Sequence, residues 1–225
     1  MKKILGILAL FIVSNANAVV FDFVDLVDTS TNDGVFNGTY ADGSTISNGN
    51  PSESAFSSFD WTIDGIELTA ASTATDGSNS INSWVYLDGY SGGPGGLGIC
   101  HSGFTSTNQC SVSSDDNVSI NEVLNLSFNG LTAVNLSGMS FTNGWHGNFT
   151  NFHHMQISVD GSAFADYATY GDWITGYTFE FQTTVDQDSS KFYINSLDAR
   201  VPEPASLALL GMGLIGFSIV RRKKS

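Results

Sequence analysis

Between residues 19 and 200 no stretch sustains an apolar repeat at helical spacing, whereas short alternating segments recur throughout. Residues 121–128, NEVLNLSF, place Leu124, Leu126 and Phe128 on one face of a strand and Val123, Asn125 and Ser127 on the other. Residues 177–182, YTFEFQ, repeat the alternation; Trp61 and Ile63 precede Asp64-Gly65, and Ile66 and Leu68 follow it, as in a hairpin. Ten Asp-Gly or Asn-Gly pairs, from Asp33-Gly34 to Asp160-Gly161, supply dipeptides that turn easily through positive φ. The pattern predicts an all-β domain, an antiparallel β-sandwich or jelly roll of roughly eight to ten strands. Its last strand falls within residues 189–199, and few helices are expected. Residues 28–58 and 70–80 (AASTATDGSNS) are poor in core-forming side chains and read as long loops or weak edge strands.

The two ends follow other rules. Met1-Lys2-Lys3, the apolar stretch Ile4–Val13 and the small residues ending in Ala16-Asn17-Ala18 have the layout of a signal peptide over residues 1–18. Signal peptidase would cut its Ala-x-Ala site before Val19. Ten apolar residues rise only about 15 Å, half of a hydrocarbon core of about 30 Å, so this segment is too short to span. At the other end, Ala205–Val220 is a sixteen-residue run without a charge. As a helix it is about 24 Å long, adequate for a single transmembrane anchor with slight local thinning of the bilayer. Arg221, Arg222, Lys223 and Lys224 then act as a stop that holds the carboxyl terminus in the cytoplasm. Pro202 and Pro204 keep Glu203 extended ahead of the helix. The organisation predicted is a signal peptide (1–18), a β-sandwich ectodomain (19–200) and a tail (201–225) with its span over 205–220 and its basic end at 221–224.

Charge separates these regions sharply. Six of the eight Lys and Arg residues sit at the extreme ends, and only Lys191 and Arg200 lie between. Against all twenty-two carboxylates, they leave residues 19–204 with a formal charge of −20. Such a body repels phosphates, which excludes nucleic acid as a partner. Export also decides the chemistry of Cys100 and Cys110, the only cysteines: an oxidising compartment favours a disulfide closing a short loop.

Candidate chemistry in the body is sparse. Gly89-Tyr90-Ser91-Gly92-Gly93 formally matches a serine nucleophile elbow, but Pro94-Gly95-Gly96 after it cannot begin the helix that the elbow needs, so no catalytic residue is assigned. His153 and His154, read as part of a strand, point to opposite faces and cannot share an ion; His146 with His154 and Asp172 would need converging loops. No metal site is assigned and no cofactor is expected, with calcium the one ion worth testing. Its weak candidate ligands are Asp115, Asp116 and Glu122. Trp84, Tyr86, Tyr90, Trp145 and Trp173 have the chemistry to stack on sugar faces and are also ordinary core residues of a β domain.

The tail, Val201-Pro202-Glu203-Pro204, the apolar run and the basic cluster, closely resembles the PEP-CTERM sorting signal of Gram-negative bacteria. The resemblance covers about twenty-five residues and implies export, a precursor anchored in the inner membrane and processing near Pro202-Glu203-Pro204 by an exosortase. It further implies a place at the cell surface or in an extracellular polysaccharide or biofilm matrix. More loosely, GGPGGLGIC followed by DDNVSINEVLNLSFNG is similar to the β-sandwich bodies of such proteins. The expectation is therefore a non-enzymatic surface or matrix protein whose partners include extracellular polysaccharide. The alternative is a carbohydrate-active hydrolase or a calcium-dependent carbohydrate-binding module.

Overall fold

A computed structural model describes residues 18–28, 34–89, 93, 95–111 and 116–202. The strands are β1 (Val19–Asp22), β2 (Val35–Tyr40), β3 (Thr45–Ser47), β4 (Ser54–Ile63), β5 (Ile66–Asp76), β6 (Asn79–Ile81) and β7 (Trp84–Asp88). They continue as β8 (Gly96–Cys100), β9 (Glu122–Asn143), β10 (Met155–Val159), β11 (Ala165–Asp166), β12 (Trp173–Thr183) and β13 (Phe192–Arg200). One short helix, α1 (Phe23–Asp28), follows β1; the Asp22 carboxylate accepts from the backbone N–H groups of Val24 and Asp25 and starts it. Phe23 and Leu26, three apart, then face the core.

The fold is all-β and antiparallel, but its strands do not separate into the two sheets of a sandwich. They form one thirteen-stranded network in which the pairings β13–β8–β7–β4–β5–β9–β13 close on themselves as a barrel. The long strand β9 makes closure feasible: residues 122–128 pair with β5, and residues 133–143 pair with β13 on the same edge. Asp64 (φ 50°) and Gly65 (φ 83°) form the expected tight turn between β4 and β5. The core is continuous, with Phe21 edge-on to Trp61 at 5.3 Å and Phe128 edge-on to Phe179 at 5.8 Å.

Three local expectations are corrected. Residues 70–76 are neither a loop nor an edge strand: they extend β5, pairing with β9 along one side and with β4 and β6 on the other, and Ala70 and Ala74 turn small side chains inward. Tyr177 does not join Phe179 and Phe181 inside; a bulge between Gly176 and Thr178 leaves it 54% exposed. His153 and His154 belong to a 3-10 turn (Phe152–His154) rather than a strand, so their rings lie side by side with centroids 3.9 Å apart.

Residues Ala18–Val201 form one compact unit. Among the described residues no helix is long and apolar enough to cross a membrane; the expected span over 205–220 lies outside them, as do the signal segment before Ala18 and residues 203–225.

Candidate functional site

On β7, β8 and the first half of β13, one set of side chains (Val85, Leu87, Leu97, Ile99, Phe192, Ile194) fills the barrel. Strand alternation sends Tyr86, Asp88, Tyr193 and Asn195 to the opposite face. That face would ordinarily meet water, yet all four are buried. Two remote segments cover it: residues 116–118, and the turn from Asn143 to Gly147.

The cover depends on glycines in GGLG. Tyr86 is paired with Gly98 and Asp88 with Gly96, so β8 presents no side chain between its bulky neighbours. A Cβ on Gly98 would overlap the Asp116 carbonyl oxygen and stand 2.9 Å from the Asn117 Cα. Backbone packs directly on backbone there. Gly95 is held from above and below, its carbonyl accepting from the Asn195 side chain at 2.7 Å and from the Thr142 hydroxyl at 3.2 Å.

Within this layer the Tyr193 hydroxyl donates to the Asp116 carboxylate, and the His146 Nε2 lies 3.0 Å from Asp88 Oδ2. The His146 ring also meets the Tyr193 ring edge-on at 5.2 Å, and its Nδ1 lies 3.3 Å from the Gly93 carbonyl. Asp116 and Asp88 are 9% and 5% exposed. Burial pushes the Asp116 carboxyl above its ordinary range, outweighing the Tyr193 hydrogen bond that favours the charged form. Burial, then the neighbouring Asp116 charge, drives the Tyr193 phenol the same way. Tyr86, which donates to Glu53 Oε1 at 3.0 Å, is raised by burial and by that carboxylate.

His146 is the joint between this buried layer and the surface. It occupies the left-handed region (φ 59°) in a turn braced by Asn143, whose Oδ1 accepts from the N–H groups of Trp145 and Gly147. Asn143 also donates its own N–H to the Gly147 carbonyl and accepts from the His146 N–H, both at 2.8 Å. At the tip of this braced turn Trp145 is 71% exposed, more than any other large apolar side chain among the described residues.

The other sequence candidates disperse. Glu122 is buried at the start of β9, accepting from the Ser119 N–H and hydroxyl, with its Oε1 2.6 Å from the His101 Nδ1. Its carboxyl too is pushed up by burial, against the pull of His101 and Ser119. Asp116 and Glu122 thus serve different protein donors, and Asp115 lies outside the described residues. Among the described residues no three His, Cys, Asp or Glu side chains gather closely enough to hold a metal ion. Cys100 and Cys110 form a disulfide with Cα atoms 5.8 Å apart, packed with Ala55 and Tyr86. The segment after Gly89–Gly93 leads into strand β8 rather than a helix, and Ser91 itself lies outside the described residues. Of the aromatic candidates, Trp84 packs on Phe104 and Tyr86 is buried; Tyr90 lies outside the described residues. Trp173 is partly covered by the Arg200 guanidinium, 3.9 Å from its ring centroid. Trp173 pairs with Asn135, which lies opposite Asp198, whereas Asn143 lies opposite Phe192, six residues or about 20 Å away along β13. Trp145 and Trp173 therefore do not share one platform.

At the two ends, Ala18 is exposed and Val19 opens β1, while Val201 is 53% exposed and Pro202 is the last described residue. Ala16, Glu203, Pro204, Arg221, Arg222, Lys223 and Lys224 fall outside the described residues. The last strand ends at Arg200. Residues 200–223 match the PEP-CTERM protein-sorting motif, which marks the chain as an exported protein sorted through exosortase. Neither a curated protein nor a solved structure matches the chain.

Proposed function

We propose that this chain is a non-enzymatic surface or extracellular-matrix protein: a signal peptide exports it, the tail holds the precursor in the inner membrane, and exosortase releases the barrel to its final place among exopolysaccharide. The match of residues 200–223 to the sorting motif carries the reading. Its non-enzymatic part is supported by the deployment of the buried acids. Asp88, Asp116 and Glu122 are engaged by His146, Tyr193, Ser119 and His101, whereas a hydrolase needs two carboxyl groups open to a substrate between them. No cofactor is proposed. Deletion of residues 201–225, followed by fractionation of membrane, surface and medium, tests the address. Loss of the surface population is expected; a distribution identical to that of the full chain would overturn the proposal.

A further inference from the structure

Trp145 combines two properties that seldom coincide: a side chain left 71% exposed and a backbone turn held by four hydrogen bonds and a buried anchor. The Asn143 side chain accepts from Trp145 and Gly147, and His146 ties the turn to buried Asp88 and to Tyr193. A solvent-exposed indole gains nothing for the core from such bracing, whereas a binding residue loses less freedom on contact when it is already positioned. What the turn packs against narrows the ligand. The shoulder of the turn at Gly144 leans on Lys191, the Asp188 carbonyl and the Asn117 amide, within 3.3 to 3.6 Å of where a Cβ would be. Lys191 in turn pairs with Asp186 and Asp188 at 3.6 and 3.4 Å. Among the described residues, none of the other exposed large apolar side chains comes from the segments that the turn packs against. A protein interface or a bilayer needs several apolar groups together, and the charge of −20 over residues 19–204 repels anionic polymers. A single exposed indole on a turn that packs beside Asn117, Asp188 and Lys191 fits a pyranose ring, whose C–H face stacks while its hydroxyls hydrogen-bond.

We infer that the Asn143–Gly147 turn is a binding site for neutral polysaccharide, with Trp145 as the stacking residue and His146 as the positioning residue that locks it to the buried layer. The inference takes its setting from the surface reading and its chemistry from the turn.

The test is affinity electrophoresis of the full-length chain in a neutral detergent through gels containing a soluble β-1,4-glucan, a β-1,3-glucan, dextran or a galactomannan, with alginate as the anionic comparison. Retardation by at least one neutral polymer and none by alginate is expected. Trp145→Ala should weaken it at least ~10-fold, in the range of an aromatic hot spot. Trp145→Phe should keep part of it, and Trp173→Ala should match the unsubstituted chain. His146→Ala should weaken binding while near-ultraviolet circular dichroism shows the barrel still folded; undiminished binding by that variant would remove His146 from the assignment. Absence of retardation by every neutral polymer, equal binding by Trp145→Ala, or capture by a protein or vesicle through Trp145 instead would overturn the site. Deleting residues 201–225 should move the protein without changing its retardation, so failure of the site and failure of the address are separable.

Discussion

Asp116 sits where burial disfavours the charged form of its carboxyl. Its carboxyl is raised by burial, as is that of Glu122. The sign follows from proton binding: over the interval between the ordinary carboxylate value and the raised folded value, the native state holds more protons than the unfolded chain. These two groups therefore make stability fall as pH rises through that interval and leave it level above. Melting curves from about pH 4 to about pH 8 should show this decline. Asp116→Asn keeps an acceptor for Tyr193 and removes the buried charge, so it should flatten part of the slope. Near neutral pH it should match the unsubstituted chain or exceed it by about 2–4 °C. A marked loss there would mean that the charge itself holds residues 116–118 in place. None of this layer announces itself in the sequence: Tyr193 and Asp116 are 77 residues apart, and burial of an outward strand face by remote segments leaves no periodic mark. The available sign was steric, the alternation of glycines in GGLG, which fits a backbone that must approach another.

At the level of elements, legibility followed side-chain size. Strand segments built on Leu and Phe, such as 121–128, announce their inward face because large residues recur at every second position. The second half of β5 does not, since alanine carries little hydrophobic signal wherever it points. Bulges hide a different fact: one extra residue in β12 turns Tyr177 outward while its neighbours keep the pattern. The Cys100–Cys110 link has its own consequence, because it closes a loop of sequence separation 10 on the covered outer face. Replacing both cysteines by serine should cost roughly 2–3 kcal/mol, or roughly 5–10 °C in melting temperature, with the barrel still formed below the transition. An unchanged melting temperature would place this loop outside the cooperative unit.

Across the whole molecule, charge opposes compaction. Residues 19–204 hold a formal charge of −20, and folding brings those carboxylates closer together. Raising sodium chloride from about 0.01 M to about 0.15 M shortens the screening length from about 30 Å to about 8 Å and should raise the melting temperature by several degrees. A response of the same size to potassium chloride is expected, since screening depends on ionic strength. Composition disclosed this global property, strand alternation the all-β class, and the end segments the address. The closure of the strands into one ring was not legible, because it depends on which strand meets which.

The last strand completes that ring by pairing with β8 on one edge and β9 on the other, and it also receives the first strand: Val19 lies opposite Ala199, and Phe21 opposite Leu197. In a chain that emerges amino end first, β1 waits for almost the entire body before its partner exists. Closure is thus an event in time, set by the arrival of β13, and until then the chain presents open edges to any protease it meets. The sorting motif begins at residue 200, the final residue of that strand. The order of the sequence places the address directly behind the last piece of the fold, so each copy is finished at the moment its destination can be read.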